Sequence, residues 1–238
     1  MLKFFRKIRQ KLLAEGKLKS YTFYAIGEII LVVVGILIAL QINNWNEVRK
    51  ERAREVDMLL ELREALSRDS TNFRRVVEDL VRSQKAYERL MEFANSEPME
   101  DEELRETLGT AFVIYNLRPL ASAYETLKTS GLTLSDQNLR ITMGTYYEND
   151  LVFVSEIFDD CKWYFLEYMV PISREYIDSF EIGVRAVPRD PNNPDFKAEL
   201  LKSIPNVVAI QANALRRMDD LLEGNEELLK LIDEETGY

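Results

Sequence analysis

The chain has 238 residues, 46% hydrophobic and 30% charged, with a single cysteine and no histidine. The lack of histidine removes the Ser-His and Cys-His nucleophile pairs and the commonest zinc ligand, and one cysteine allows neither an intramolecular disulfide nor a multi-thiolate metal site. The net charge of −10 is unevenly placed: residues 1–19 carry seven Lys/Arg against Glu15 alone, whereas 46–238 carry 24 against 39 Asp/Glu, which suits anionic lipid headgroups at the start and argues against nucleic acid as a partner for the rest.

The first predicted element is a basic amphipathic helix within residues 1–19. Leu2, Phe5, Ile8 and Leu12 fall at helical spacing, with Lys3, Arg6, Lys7, Arg9 and Lys11 around them and Gly16 as a stop, a pattern that lies in a headgroup layer. The other reading is a basic tail that serves only to orient the chain.

Residues 20–45 read as a transmembrane helix. The low-charge stretch from Tyr21 to Trp45 reaches roughly 37 Å as a helix, against a hydrocarbon core of ~30 Å. Ile29 to Leu40 reads IILVVVGILIAL, and its ten Ile, Leu and Val residues outweigh the single acid Glu28. Tyr21, Tyr24 and Trp45 bracket the span as interfacial aromatics. A buried core helix is the competing reading, but a twelve-residue run apolar on every side does not suit one. A secretory signal peptide has the same order of regions, yet only Ala39 offers a small residue for cleavage, so an uncleaved anchor is expected. Seven Lys/Arg precede the span and Arg49, Lys50, Arg52 and Arg54 follow it, which predicts a cytoplasmic N-terminus in a bacterial inner membrane, with the main domain periplasmic.

Gly27, Gly35 and Ala39 share one face of this helix, with Glu28 on the adjoining stripe beside Val32, Gly35 and Asn43. Small residues four apart let two helices approach closely, and an intramembrane carboxyl gains from a neighbour or from water, so the span is expected to self-associate. A pore with Glu28 facing its centre is the alternative.

Residues 46–238 are predicted to form a soluble all-α domain. Val56, Leu59, Leu62, Leu66, Phe73, Val77, Leu80, Tyr87, Leu90 and Phe93 recur at three, four or seven residues, which predicts one long helix from Trp45 to about Asn95. A break at Ser67 to Asn72, with Asp69 or Ser70 capping a new start, is the alternative. Further helices are expected at 99–116, 120–130, 136–179, 196–203 and 206–234, limited by Pro119, Gly131, the Ser135-Asp136 cap and Pro205, with Pro171 kinking or ending the fourth. Cys161 falls among Val154, Phe158 and Phe165 as a buried apolar residue. No useful strand alternation is expected, so the fold class is all-α: the membrane helix, the long helix and an aqueous bundle.

The block AIGEIILVVVGILIALQINNWNE, Ala25 to Glu47, preceded by MLKFFRKIRQKLL, resembles the opening of an uncharacterised family of bacterial single-span membrane proteins. The block ETLKTSGLTLSDQNLRITMGTYYEN, Glu125 to Asn149, is similar to that family's second recurring feature, a Ser-Gly-x-Leu turn followed by a Leu-Arg helix start. The resemblance implies the single-span topology and leaves the activity open.

The remaining candidates are weaker. Asp190, Asn192, Asn193 and Asp195, in an expected loop from Glu181 to Asp195, are oxygen donors of the type calcium uses, but the EF-hand glycine and terminal acid are missing and turn chemistry explains them. Glu148, Asp150, Glu156, Asp159 and Asp160 lack the Glu-x-x-His pairs of a di-metal site and read as a solvated face. Tyr146-Tyr147 and Trp163-Tyr164-Phe165 with Tyr168 suit core packing or an aromatic patch for a partner. No cofactor or metal is expected, and no catalytic residue stands out. The reading is therefore a membrane-anchored assembly, scaffold or sensing module, a homo-oligomer or bound to another envelope protein. An enzyme is the least favoured class, because it would rest on carboxylates alone.

Overall fold

A computed structural model describes residues 18–238. The basic residues Lys3, Arg6, Lys7, Arg9 and Lys11 and the side chains of Tyr21 and Tyr24 lie outside the described part, so the interfacial roles expected of them have no structural counterpart here. Of the described residues, 81% are helical. The chain divides into two compact units between Glu55 and Val56.

Helix α1 spans Leu18–Ala94 without the break considered at Ser67 to Asn72. In its first unit the helix is apolar on all sides between Ile29 and Leu40, and every large side chain there is exposed. In the second unit the same helix turns amphipathic. Leu59, Leu62, Leu66, Asp69, Phe73, Leu80, Ser83, Tyr87 and Leu90 are buried at steps of three, four or seven, the spacing of a helix that packs along one seam.

The partners of that seam come from later in the chain. Helix α2 spans Asp101–Ala111, α3 Ser122–Thr129 and α4 Gln137–Thr145. A five-residue π turn, Tyr146–Asp150, joins α4 to α5 at Leu151–Tyr164, and a second, Phe165–Met169, joins α5 to α6 at Val170–Tyr176. The expected helix 136–179 is thus one helical run with two wide turns that stops at Tyr176, residues 177–179 being strand instead, and Pro171 sits at the start of α6, where its missing N–H matters least. The last helix, α7, spans Pro194–Thr236 and passes straight through Pro205, correcting the expected break there. Pro205 is exposed, so the helical carbonyl it leaves without a donor can meet water.

Two further corrections concern extended backbone. The helix expected to reach residue 116 ends at Ala111, and burial then alternates: Val113, Tyr115, Leu117 and Pro119 are half-buried, whereas Ile114, Asn116, Arg118 and Leu120 are exposed. Residues 113–121 therefore lie along the bundle as an extended strap, with Tyr115, Leu117 and Ala121 packed on its core. A hairpin takes the end of the expected helix 136–179 and the start of the expected loop: β1 Ile177–Glu181 and β2 Arg185–Pro188, antiparallel with Phe180 opposite Ala186. Gly183 supplies the positive φ of 75° that the turn requires.

The core has two parts. One joins Leu59 to Leu80 of α1 with α3, α4, α5 and the second half of α7; the other joins Tyr87 to Phe93 with α2, α6, the hairpin and the first half of α7. The hairpin seats on α2 at Gly109, where an added Cβ would lie 2.3 Å from the Arg185 backbone nitrogen.

Candidate functional site

The predicted association residues lie on the exposed part of α1. Among the described residues, nothing beyond the helix's own adjacent backbone lies within 4 Å of where a Cβ would stand on Gly27 or Gly35, and Ala39 is exposed on the same helix. Glu28 is half-exposed among Ala25, Ile29, Val32 and Val33. Trp45, the one expected interfacial aromatic whose side chain is described, is 65% exposed with the Arg49 guanidinium 5.7 Å from its ring centre.

The loop and helix-face acids have ordinary partners. Asp190 Oδ1 accepts from the Asn192 amide at 2.9 Å, and Asn193 Oδ1 caps α7 by accepting from Asp195 and Phe196, which is turn and cap chemistry. Glu148 accepts from Lys128 at 2.7 Å and from the Tyr124 hydroxyl at 2.8 Å, and these two partners hold its carboxyl below its usual range. Glu156, Asp159 and Asp160 are exposed on α5. Cys161 is buried, and burial pushes its thiol up to about 12. Of the aromatic cluster, Phe165 is buried edge-on against Phe112 with ring centres 6.4 Å apart, whereas Trp163 stays 55% exposed.

Sequence reasoning missed a polar layer inside the bundle. Asp69, read as a possible helix cap, lies mid-helix with no exposed surface, and both its carboxylate oxygens accept from the Leu120 amide of the strap at 2.9 and 3.1 Å. Burial pushes this carboxyl up to about 6, with the hydrogen bond from the Leu120 amide acting the other way. Beside it, Tyr146 and Tyr147 are both buried. Two adjacent residues face inward together because the π turn places them on a widened stretch of helix. Asn225 of α7, also wholly buried, donates to the Leu66 carbonyl at 3.1 Å and the Tyr146 hydroxyl at 3.2 Å. Tyr147 stacks on Tyr124 with ring centres 4.3 Å apart and planes 3° from parallel. Burial raises both tyrosines well above the usual phenol range, and the Asp69 charge adds to this.

A second polar layer lies fourteen positions along α1 from Asp69, at Ser83, and fourteen back along α7 from Asn225, at Gln211. Gln211 donates to Ser83 at 3.4 Å, while the buried Tyr87 hydroxyl donates to the Ala111 carbonyl at 2.7 Å and so secures the end of α2. The signal that could have found both layers is the interruption of one apolar seam by polar residues at whole-heptad intervals.

No curated protein and no solved structure matches the chain. A family model does, over residues 28–163, which takes in most of the exposed apolar helix, the Asp69 position, the strap and the first π turn. That match covers more than half of the sequence, and the chain accordingly belongs to a family of unknown function, DUF6090.

Proposed function

We propose that this protein is a non-catalytic, membrane-anchored helical module whose span associates with a second copy of itself, and whose aqueous bundle serves as a scaffold or sensing element in the bacterial envelope. One observation carries the anchor: α1 holds an 18-residue window of mean hydropathy 2.6, none of it buried among the described residues. A core helix of this hydropathy would be covered, and large apolar surface left to water is costly. Lipid is the solvent that suits it. The basic residues 1–19 favour a cytoplasmic N-terminus and contact with anionic headgroups, with residues 46–238 on the periplasmic side.

Self-association is supported by the open faces of Gly27 and Gly35, which no described residue covers. Cross-linking in native membranes tests it. Wild type should give dimers or larger species, Gly35→Leu should reduce them severalfold, and Leu37→Ala should not. Equal yields for wild type and Gly35→Leu would leave the span as a lone anchor. Protease added to spheroplasts should digest residues 46–238, and protection of that domain would invert the orientation.

A further inference from the structure

The Asp69 layer is built around a carboxyl that ionisation does not suit. An ionised, fully buried carboxylate calls for several donors or a cation. Asp69 has one, the Leu120 N–H, divided between its two oxygens. Tyr146 and Tyr147 of the π turn lie close enough for the Asp69 charge to act on both, and Asn225 of α7 donates to Tyr146. The charged residues nearby are directed elsewhere. Arg74 of α1 pairs with Glu226 of α7, Lys128 of α3 pairs with Glu148, and Arg118 of the strap is exposed. Asp150, at the end of the π turn, adds negative charge to the Tyr146 environment.

The same layer holds two buried polar atoms without a hydrogen-bond partner among the described residues, Asn225 Oδ1, an acceptor, and the Tyr147 hydroxyl, a donor and acceptor, although both residues are more than nine-tenths buried. A neutral Asp69 would keep a carbonyl oxygen for the Leu120 amide, whereas the ionised form leaves a buried charge on one shared N–H.

We propose that Asp69 and the Leu120 amide form a proton-operated clasp that holds the strap, residues 113–121, onto the bundle: the protonated carboxyl closes it and the ionised carboxyl loosens it. The direction follows from linkage. A carboxyl near its ordinary value when the strap is open and raised to about 6 when it is closed binds its proton more tightly in the closed state. Closure is therefore fully favoured below pH ~4, weakens as pH rises to about 6, and changes little above that.

Hydrogen–deuterium exchange of the full chain in detergent micelles, corrected for the intrinsic pH dependence of exchange, tests the clasp. Between pH 4.5 and 7.5, protection of peptides covering 113–121 should fall by about tenfold or more, with peptides of α5 as an unchanged reference. Asp69→Asn, which keeps an acceptor for Leu120 and adds a donor, should stay protected at both pH values. Asp150→Asn should retain the wild-type fall. Wild-type protection equal at both ends of the range would overturn the proposal without recourse to any variant. So would a fall that persists in Asp69→Asn or disappears in Asp150→Asn.

Discussion

Helix α1 shows two ways of being apolar. From Ile29 to Leu40 its side chains are hydrophobic on every side and all exposed, whereas from Leu59 to Leu90 only one seam is hydrophobic and that seam is buried. The first pattern suits a surrounding apolar medium, the second a partner on one side and water on the other. The second also carries polar residues in its seam, Asp69 and Ser83, each answered by a side chain or amide from a distant part of the chain. The lesson is that apolar content alone does not define a core. A core is defined by which positions are interrupted, and by what meets the interruption.

The contrast can be broken most forcefully by truncating one residue of each kind. Leu62→Ala should cost the bundle ~2–5 kcal/mol in denaturant unfolding, because Leu62 is wholly buried. Ile36→Ala should leave the same transition where it is. A comparable loss from both would break the contrast.

Glycines sharpen the contrast next. Gly109→Ala forces a Cβ to within 2.3 Å of the Arg185 nitrogen, so the hairpin must shift, at a cost of ~1–3 kcal/mol and with faster proteolysis between Ile177 and Pro188. Gly35→Ala meets nothing within 4 Å and should change neither readout. In the polar layer, Asn225→Ala removes the donor to Leu66 and Tyr146, and an expected loss of ~1–3 kcal/mol can be read from thermal unfolding. The smallest effect belongs to Tyr124→Phe, which keeps the stack on Tyr147 and gives up only the bond to Glu148, for ~0.5–1.5 kcal/mol.

Much of the architecture was legible in the sequence because helix signals are local. The stripe from Leu59 to Phe93, the Asp136 cap and the buried positions Leu151, Val154, Phe158, Cys161, Phe165 and Met169 all follow from spacing and side-chain chemistry. What escaped depends on distant partners. Asp69 resembles a helix start when seen beside Ser70, and its actual partner, Leu120, is 51 residues away. The alternation in the strap, Val113, Tyr115, Leu117 and Pro119, was present but short, and it followed a good helix without a strong stop signal. Pro205 was read as an end because proline lacks an amide hydrogen, yet on an exposed helix face water can take over that hydrogen bond. The hairpin escapes because its first strand follows a helical run with no stop signal, while Pro188 and the asparagine-rich run after it suggest a loop for the second.

The two π turns also have a consequence for how relatives of this chain can vary in length. A π turn accommodates one residue more than the α-helix it interrupts, so removing that residue restores regular helix while the neighbouring turns keep their facing. Deleting the exposed Glu167 should leave Phe165 and Met169 buried on the same side, whereas deleting Asp159 from within α5 turns every following side chain by about 100° and breaks the core. Single-residue gaps between family members are therefore expected to concentrate at Tyr146–Asp150, within the matched residues, and to be rare along α5.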